Sequence, residues 1–236
     1  MIQFFSPELE ETLLLPEGES SHCVRVLRMI EGDEIYVTDG KGNRFKCLIE
    51  KAHHSRTKVR IIEKETFSFE KNYRLILAVA PTKNVDRMEW LAEKAVEIGV
   101  AKIVLLRCER SERKILKKER LEKIMVSAMK QSLSVYLPEI EEVTRFGNFV
   151  RSLDENTQKF FGYCSPEFPR LEFVKECLPG GEVVVMIGPE GDFTPDEVKE
   201  AVNNGFKAVT FGNKRLRTET AGVYAVCAVD VINQLA

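Results

Sequence analysis

Histidine is scarce in this chain. Of 236 residues only three are histidine, His22, His53 and His54, and all lie in the first quarter. No Ser-His-Asp or Cys-His arrangement is visible, so catalysis through an activated side-chain nucleophile is not expected. His53 and His54 are adjacent, and neighbouring side chains on extended backbone point to opposite sides, which argues against a shared metal. The six cysteines are scattered without a C-x-x-C pair. Neither a zinc site nor a dithiol redox motif is supported, and reduced thiols are expected. No apolar run approaches the roughly 18 to 20 residues that cross a bilayer. Residues 1–6 carry no basic stretch leading into an apolar one, so a cytoplasmic protein without a membrane partner is expected. A large positive charge is missing too: the net charge of -2 argues against nucleic-acid binding over the whole surface, which needs clustered Lys and Arg. No G-x-G-x-x-G follows a strand pattern, and no Lys-Ser or Lys-Thr follows a Gly-rich loop, which leaves the common dinucleotide and triphosphate sites unsupported.

What is present is sufficient for a core and unevenly distributed. Hydrophobic residues make up 44% of the chain, enough for one large domain or a small one plus a medium one. Residues 107–123 hold eight basic side chains against four acidic, whereas residues 1–70 hold ten against thirteen. The basic stretch reads either as a solvated helix face laced with i,i+4 pairs or as a contact for a polyanion. The first seventy residues read as a small β-rich module. Its strand patterns are Glu34-Ile35-Tyr36-Val37-Thr38, residues 44–49 after the turn Asp39-Gly40-Lys41-Gly42-Asn43, and Lys58-Val59-Arg60-Ile61-Ile62. From about Tyr73 the rhythm changes to strands alternating with helices, which predicts an α/β layer with a mostly parallel sheet. Strands are expected over residues 74–80, 102–106, 160–163, 183–187 and 208–211, and helices over 85–98, 117–133, 195–204 and 218–235. Thr194-Pro195-Asp196-Glu197 supplies an N-cap, a proline at the first helical position and a glutamate at the third. The candidate linker is residues 67–72.

Two loops stand out. Gly188-Pro189-Glu190-Gly191 follows an apolar strand and precedes a helix, the position at which open α/β sheets bind ligands. It is no phosphate cradle, because Glu190 and Asp192 would repel an anion. The second, Phe211-Gly212-Asn213-Lys214-Arg215-Leu216-Arg217-Thr218-Glu219-Thr220-Ala221, is another strand end leading to a helix start, where the hydroxyl and carboxylate residues read as helix caps. Alone, the first loop reads as ordinary turn punctuation and the second as plain helix capping with solvated arginines, but two such loops on one sheet can converge on one pocket. An enzyme with no nucleophile, metal or phosphate loop in its sequence suits a reaction whose cosubstrate carries the reactive group, and methyl transfer fits that description.

With both loops in view, the sequence resembles the RsmE family of 16S rRNA uridine-N3 methyltransferases, a branch of the SPOUT superfamily, over nearly the whole chain. The resemblance rests on Met88-x-Trp90, Glu97-x-Gly99-Val100, residues 107–111, Gln131-Ser132, Ile187-Gly188-Pro189-Glu190-Gly191 with Phe193 and Glu197, and Leu216-Arg217-Thr218-Glu219-Thr220-Ala221. In the N-terminal part it rests on His22-x-x-x-Val26-Leu27-Arg28 followed by Gly32-Asp33. Asp192 stands where the family usually has a second glycine, and Ser134 where many members have arginine.

The resemblance implies an α/β fold, with a PUA-like β-barrel RNA-binding domain over residues 1–70 and a SPOUT methyltransferase domain over 71–236 whose C-terminal segment threads a deep trefoil knot. It implies S-adenosylmethionine as cofactor, 16S rRNA in the small ribosomal subunit as substrate, a homodimer, and no metal. The cofactor would be held by Leu77, Ala78, Val79, Ala80, Ile187, Gly188, Pro189, Glu190, Gly191, Phe211, Gly212, Leu216, Arg217, Thr218, Thr220 and Ala221, with Glu190 a candidate counter-charge to the sulfonium. Arg25, Arg28, Arg107, Arg110 and Arg113 would hold RNA phosphates. Arg217 would stabilise the uracil anion, and Glu219 or solvent would take the N3 proton unless Glu219 serves as a helix cap. Two other readings fit the same sequence: a related SPOUT enzyme with a different rRNA or tRNA target, and a non-catalytic ribosome-assembly factor.

Overall fold

The two rhythms of the sequence become two separate sheets. The computed structural model describes residues 2–68, 71–165 and 169–236. Its two compact units are Met1–Glu70 with Val126–Leu137, and Lys71–Met125 with Pro138–Ala236. Of the expected linker, Phe69 and Glu70 lie outside the described residues.

In the first unit, β1 (Gln3–Phe5) is followed by α1 (Leu9–Thr12), α2 (Glu17–Ser21), β2 (Glu34–Thr38), β3 (Asn43–Lys51) and β4 (Lys58–Thr66). They form a four-stranded sheet in the order β1-β2-β3-β4, parallel only at β1-β2. No strand pairing joins β1 to β4 among the described residues, but an antiparallel bridge between Leu14 and Lys58, with Leu15 N–H on the Thr57 carbonyl and Val59 N–H on the Leu13 carbonyl, both at 3.0 Å, ties the start of β4 to the segment that follows β1. Alternation explains β3: Phe45, Cys47 and Ile49 face a core that also holds Phe4, Leu9, Leu15, Ile35, Val37 and Val59, because successive side chains leave opposite faces of a strand. Residues 126–137 complete the unit through Gln3, whose amide donates to the Ser134 carbonyl at 2.8 Å, and Arg44, which donates to Leu133 at 2.7 Å. The Ser134 hydroxyl is used locally, bonding the Tyr136 main chain at 3.2 Å.

Two local features of this unit were not legible from periodicity. α2 runs into a π-helical turn, His22–Val26, in which Leu27 N–H donates to the His22 carbonyl at 3.0 Å. Arg28 then ends it in the left-handed region at φ 57°, a conformation costing a non-glycine residue roughly 1 kcal/mol. His53 and His54 lie in a turn rather than on extended backbone, and their rings stack at 4.5 Å instead of pointing apart.

In the second unit the elements are β5 (Tyr73–Val79), α3 (Val85–Ile98), β6 (Lys102–Arg107), α4 (Lys118–Gln131, whose last turns fall in the first unit), β7 (Glu139–Arg145), α5 (Phe146–Arg151), β8 (Gln158–Gly162), β9 (Leu171–Glu172), α6 (Phe173–Glu176), β10 (Gly181–Ile187), α7 (Pro195–Asn203), β11 (Lys207–Thr210) and α8 (Thr218–Gln234). The sheet order is β7-β6-β5-β10-β8-β11-β9 and every pairing in it is parallel. A parallel sheet covered on both faces needs apolar residues in succession. β5 and β10 meet that need, with Leu75 to Val79 and Val183 to Ile187 all buried. The predicted capping box on α7 is in place, and α3 adds a cap that was not predicted. Asn84 accepts from Asp86 N–H at the start of α3, and Thr194 and Glu197 close a capping box on α7 with Pro195 at its first turn. β7, α5, β9 and α6 add to the expected elements. β7 pairs on one side only, with β6, and carries Glu139, Glu141, Glu142 and Arg145, which suits an edge strand and hides it from an apolar pattern. Because all seven strands run the same way, their C-terminal ends share one edge, and the loops after β5, β6, β8, β10 and β11 emerge there together.

Candidate functional site

At that edge the loops after β8, β10 and β11 and the start of α8 enclose a cavity of about 880 Å³. Ile187, Gly188, Pro189, Glu190, Phe211, Gly212, Leu216, Arg217, Thr218, Glu219 and Ala221 line it. The two loops singled out in the sequence thus meet at one site, brought together by the insertion of β8 between β10 and β11. Gly191 and Thr220 lie outside its lining, and so do Leu77 to Ala80. These last four are buried in β5 and its end, in register with Val185 to Ile187 of β10, and Ala80 N–H donates to the Ile187 carbonyl at 3.0 Å. Their backbone groups belong to the sheet.

The local geometry depends on close approach. A Cβ on Gly162, at the end of β8, would lie 2.6 Å from the Phe211 ring, and one on Gly188 would lie 3.1 Å from the Phe193 ring. Phe211 packs edge-on against Phe173 at 5.3 Å and at a tilt against Tyr224 at 5.5 Å, so the second loop starts from a fixed aromatic base. The expected capping at the start of α8 is not what these residues do. Thr218 Oγ1 donates to the Gly188 carbonyl at 3.2 Å, tying the two loops, and no side chain caps the helix.

Glu219 is the outlier among the lining groups. It is 7% exposed, its Oε1 lies 3.6 Å from Arg87 Nε, and its buried Oε2 has no hydrogen-bond partner among the described residues. Leaving a buried carboxylate oxygen unpaired costs on the order of 1 to 3 kcal/mol or more, so its persistence marks a place for a hydrogen-bond donor. Arg217 is exposed beside it, and its guanidinium forms no hydrogen bond or ion pair among the described residues.

Sequence reasoning missed Arg87, the residues 162–165, Arg170 and Asp192 in this lining. Asp192 could have been found from its departure from glycine. It keeps a left-handed backbone at φ 61°, and its carboxylate accepts from Cys164 N–H at 3.0 Å and Phe193 N–H at 2.9 Å. Burial pushes its carboxyl above the usual range, against the pull of those N–H groups and of Arg215 and Arg110. Burial also raises the Cys164 thiol in the same lining, so this cysteine is a poor thiolate nucleophile.

The five arginines assigned to RNA divide. Arg25, Arg28 and Arg107 are exposed and unpaired among the described residues. Arg110 donates to the Gly191 carbonyl at 2.9 Å, and Arg113 donates to Thr82 at 3.2 Å and Lys83 at 2.6 Å. These two brace loops at the strand ends. Glu190 joins the same brace by accepting from Lys83 N–H at 3.1 Å, and Glu197 reaches the Glu109 N–H at 2.9 Å.

Comparison with known proteins gives a consistent picture. The family model described as an RNA methyltransferase domain matches residues 69–230, and the model described as an RNA methyltransferase PUA domain matches residues 15–62. The chain is 33% identical to ribosomal RNA small subunit methyltransferase E of Aquifex aeolicus, over 94% of this chain and 96% of that one. A probable rRNA-methyltransferase from Porphyromonas gingivalis superposes with a TM-score of 0.95 at 38% identity, covering 100% of this chain and 99% of that one. A ribosomal RNA small subunit methyltransferase E from Neisseria gonorrhoeae, solved bound to S-adenosyl methionine, superposes with a TM-score of 0.88 at 28% identity, covering 98% of each chain.

Proposed function

Since the chain belongs to the RNA methyltransferase family, we propose that it transfers the methyl group of S-adenosylmethionine to N3 of a uridine in 16S rRNA of the small ribosomal subunit, in the cytoplasm. The observation that carries this reading is the cavity at the strand ends, with a partnerless buried Glu219 oxygen beside an uncommitted Arg217. The cavity suits the cofactor. Gly188 and Gly212 line it without side chains, and a Cβ on Gly188 would press against the Phe193 ring at 3.1 Å. Residues 187–191, 211–212 and 216–221 would hold the cofactor, with residues 77–80 of β5 as the sheet on which those loops rest. When bound, S-adenosylmethionine supplies an electrophilic methyl group on a sulfonium.

The protein's part is position and charge. Uracil N3 lies on the Watson–Crick edge, so the base must be unpaired to enter the site. Arg217 stabilises the anion that forms as the N3 proton leaves, and Glu219 Oε2 accepts that proton. Residues 1–70 act as a PUA-like RNA-binding domain, with Arg25 and Arg28 on flanking phosphates, and residues 71–236 form the methyltransferase domain. The placement of β10 between β5 and β8 supports threading of the C-terminal segment into a trefoil knot. A homodimer is supported by the apolar side chains α8 leaves exposed, Tyr224, Val231 and the following Leu235.

The test incubates the purified chain with isotope-labelled S-adenosylmethionine and small ribosomal subunits lacking this modification, followed by mass spectrometry of the nucleosides. Labelled 3-methyluridine at one site is expected. Cofactor binding without label in this particle points to another rRNA or a tRNA, and no cofactor binding at all leaves a ribosome-assembly factor.

A further inference from the structure

The charge lining the cavity does not suit the proposed cofactor alone. Five cationic side chains, Arg87, Arg170, Lys214, Arg215 and Arg217, face three carboxylates, Glu190, Asp192 and Glu219. Glu190 accepts from Lys83 N–H and Asp192 from two N–H groups, while Glu219 pairs with Arg87 through Oε1 and keeps Oε2 open. Arg170 is also engaged, donating to the Tyr163 and Cys164 carbonyls at 3.3 Å. Lys214, Arg215 and Arg217 remain. All three are exposed and lie within four residues of one loop, and their side chains make no hydrogen bond or ion pair among the described residues. S-adenosylmethionine carries a sulfonium and an ammonium against one carboxylate, so a surplus of free cations repels it. Cations clustered at a concave site raise the local concentration of anions.

Resting on the reading above, we infer that Lys214 and Arg215 form a phosphate-binding rim on the cavity, which seats the RNA backbone next to the reacting uridine. This reassigns part of the RNA contact from Arg110 and Arg113, whose guanidinium groups are occupied by loop carbonyls. A rim on the same loop as Arg217 places phosphate binding and anion stabilisation on one short segment, so the register of the RNA is set beside the chemistry.

The experiment measures binding of unmodified small-subunit rRNA, transcribed in vitro, at several salt concentrations, together with calorimetric titration of S-adenosylmethionine. Each cation released from a phosphate lowers the slope of log affinity against log salt by about 0.7 for single strands. Lys214→Gln/Arg215→Gln is expected to lose roughly 1.4 of that slope while keeping cofactor affinity within a few-fold. Arg110→Gln/Arg113→Gln is expected to keep the slope and to melt earlier. An unchanged slope in the first variant overturns the rim alone, as does a tenfold or greater loss of its cofactor affinity, which would assign these cations to the cofactor's carboxylate. A parent chain that binds cofactor but no ribosomal RNA overturns the rim together with the function it rests on.

Discussion

Two arginine-bearing segments of the second unit, residues 107–113 and 214–217, look alike as sequence and differ as structure. In the first, Arg110 and Arg113 end on main-chain carbonyls of the loops after β10 and β5. In the second, Lys214, Arg215 and Arg217 line a cavity, and their side chains form no hydrogen bond or ion pair among the described residues. The carboxylates divide in the same way. Glu197 satisfies Thr194 and Glu109 N–H groups, whereas Glu219 keeps a buried oxygen without a donor. A charge committed to the fold and a charge held free for a ligand are the same residue type, so commitment rather than identity separates bracing from chemistry.

The sharpest way to break this comparison is Arg217→Ala. If the free charges carry the reaction, turnover falls by about 10²- to 10³-fold, the usual effect of removing one anion-stabilising donor. S-adenosylmethionine affinity falls far less than turnover, and the melting temperature stays close to the parent. Normal turnover in steady-state assays on small ribosomal subunits would remove Arg217 from the chemistry. Glu219→Gln comes next, with a loss of about 10²-fold from a missing proton acceptor. Because Oε2 has no partner in the fold, stability is expected to hold within about 1 kcal/mol in urea denaturation. A large loss of stability with turnover intact would make Glu219 a structural partner of Arg87.

Arg110→Gln tests the committed side. It removes a charge-assisted bond to the Gly191 carbonyl at a largely exposed site, and about 1 kcal/mol of stability should go with it. The RNA salt slope should not move. If stability holds and the slope falls, Arg110 belongs with the free set.

How much of this was legible follows from what each signal needs. α3 was legible from Met88, Leu91, Ala92 and Val96 at helical spacing, and α7 because its cap, Thr194 with Glu197, is local in sequence. β5 and β10 were legible because a strand buried on both faces is a continuous apolar run. The π-helical turn at residues 22–26 was not, since its hydrogen bonds skip one residue more than a helix and leave no distinct pattern. β7 was hidden by its charges. At the site, the two Gly-containing loops carry their own signal, but Gly162, Cys164 and Arg170 enter only because β8 lies between β10 and β11. Strand order is set by packing, so no pattern near those residues announces it. The division among the arginines was equally silent, because an acceptor such as the Gly191 carbonyl lies 81 positions from Arg110.

The smallest effect concerns Asp192, a committed carboxylate beside the free Arg215. Burial raises its carboxyl in the folded chain, and Arg215 and Arg110 pull it back down. A group whose folded value lies above its unfolded value contributes stability below the unfolded value, about pH 4. That contribution is lost as pH rises through the raised folded value. Asp192→Asn tolerates the left-handed backbone and does not titrate. The stability difference between parent and variant should therefore move in the variant's favour as pH rises from about 4 toward neutrality. Urea midpoints across that range measure it. Arg215→Gln sharpens the point, because losing that cation raises the Asp192 carboxyl further and extends the window to higher pH. A difference curve indifferent to Arg215 would show that this cation does not sense Asp192 and is freer for RNA than its position implies.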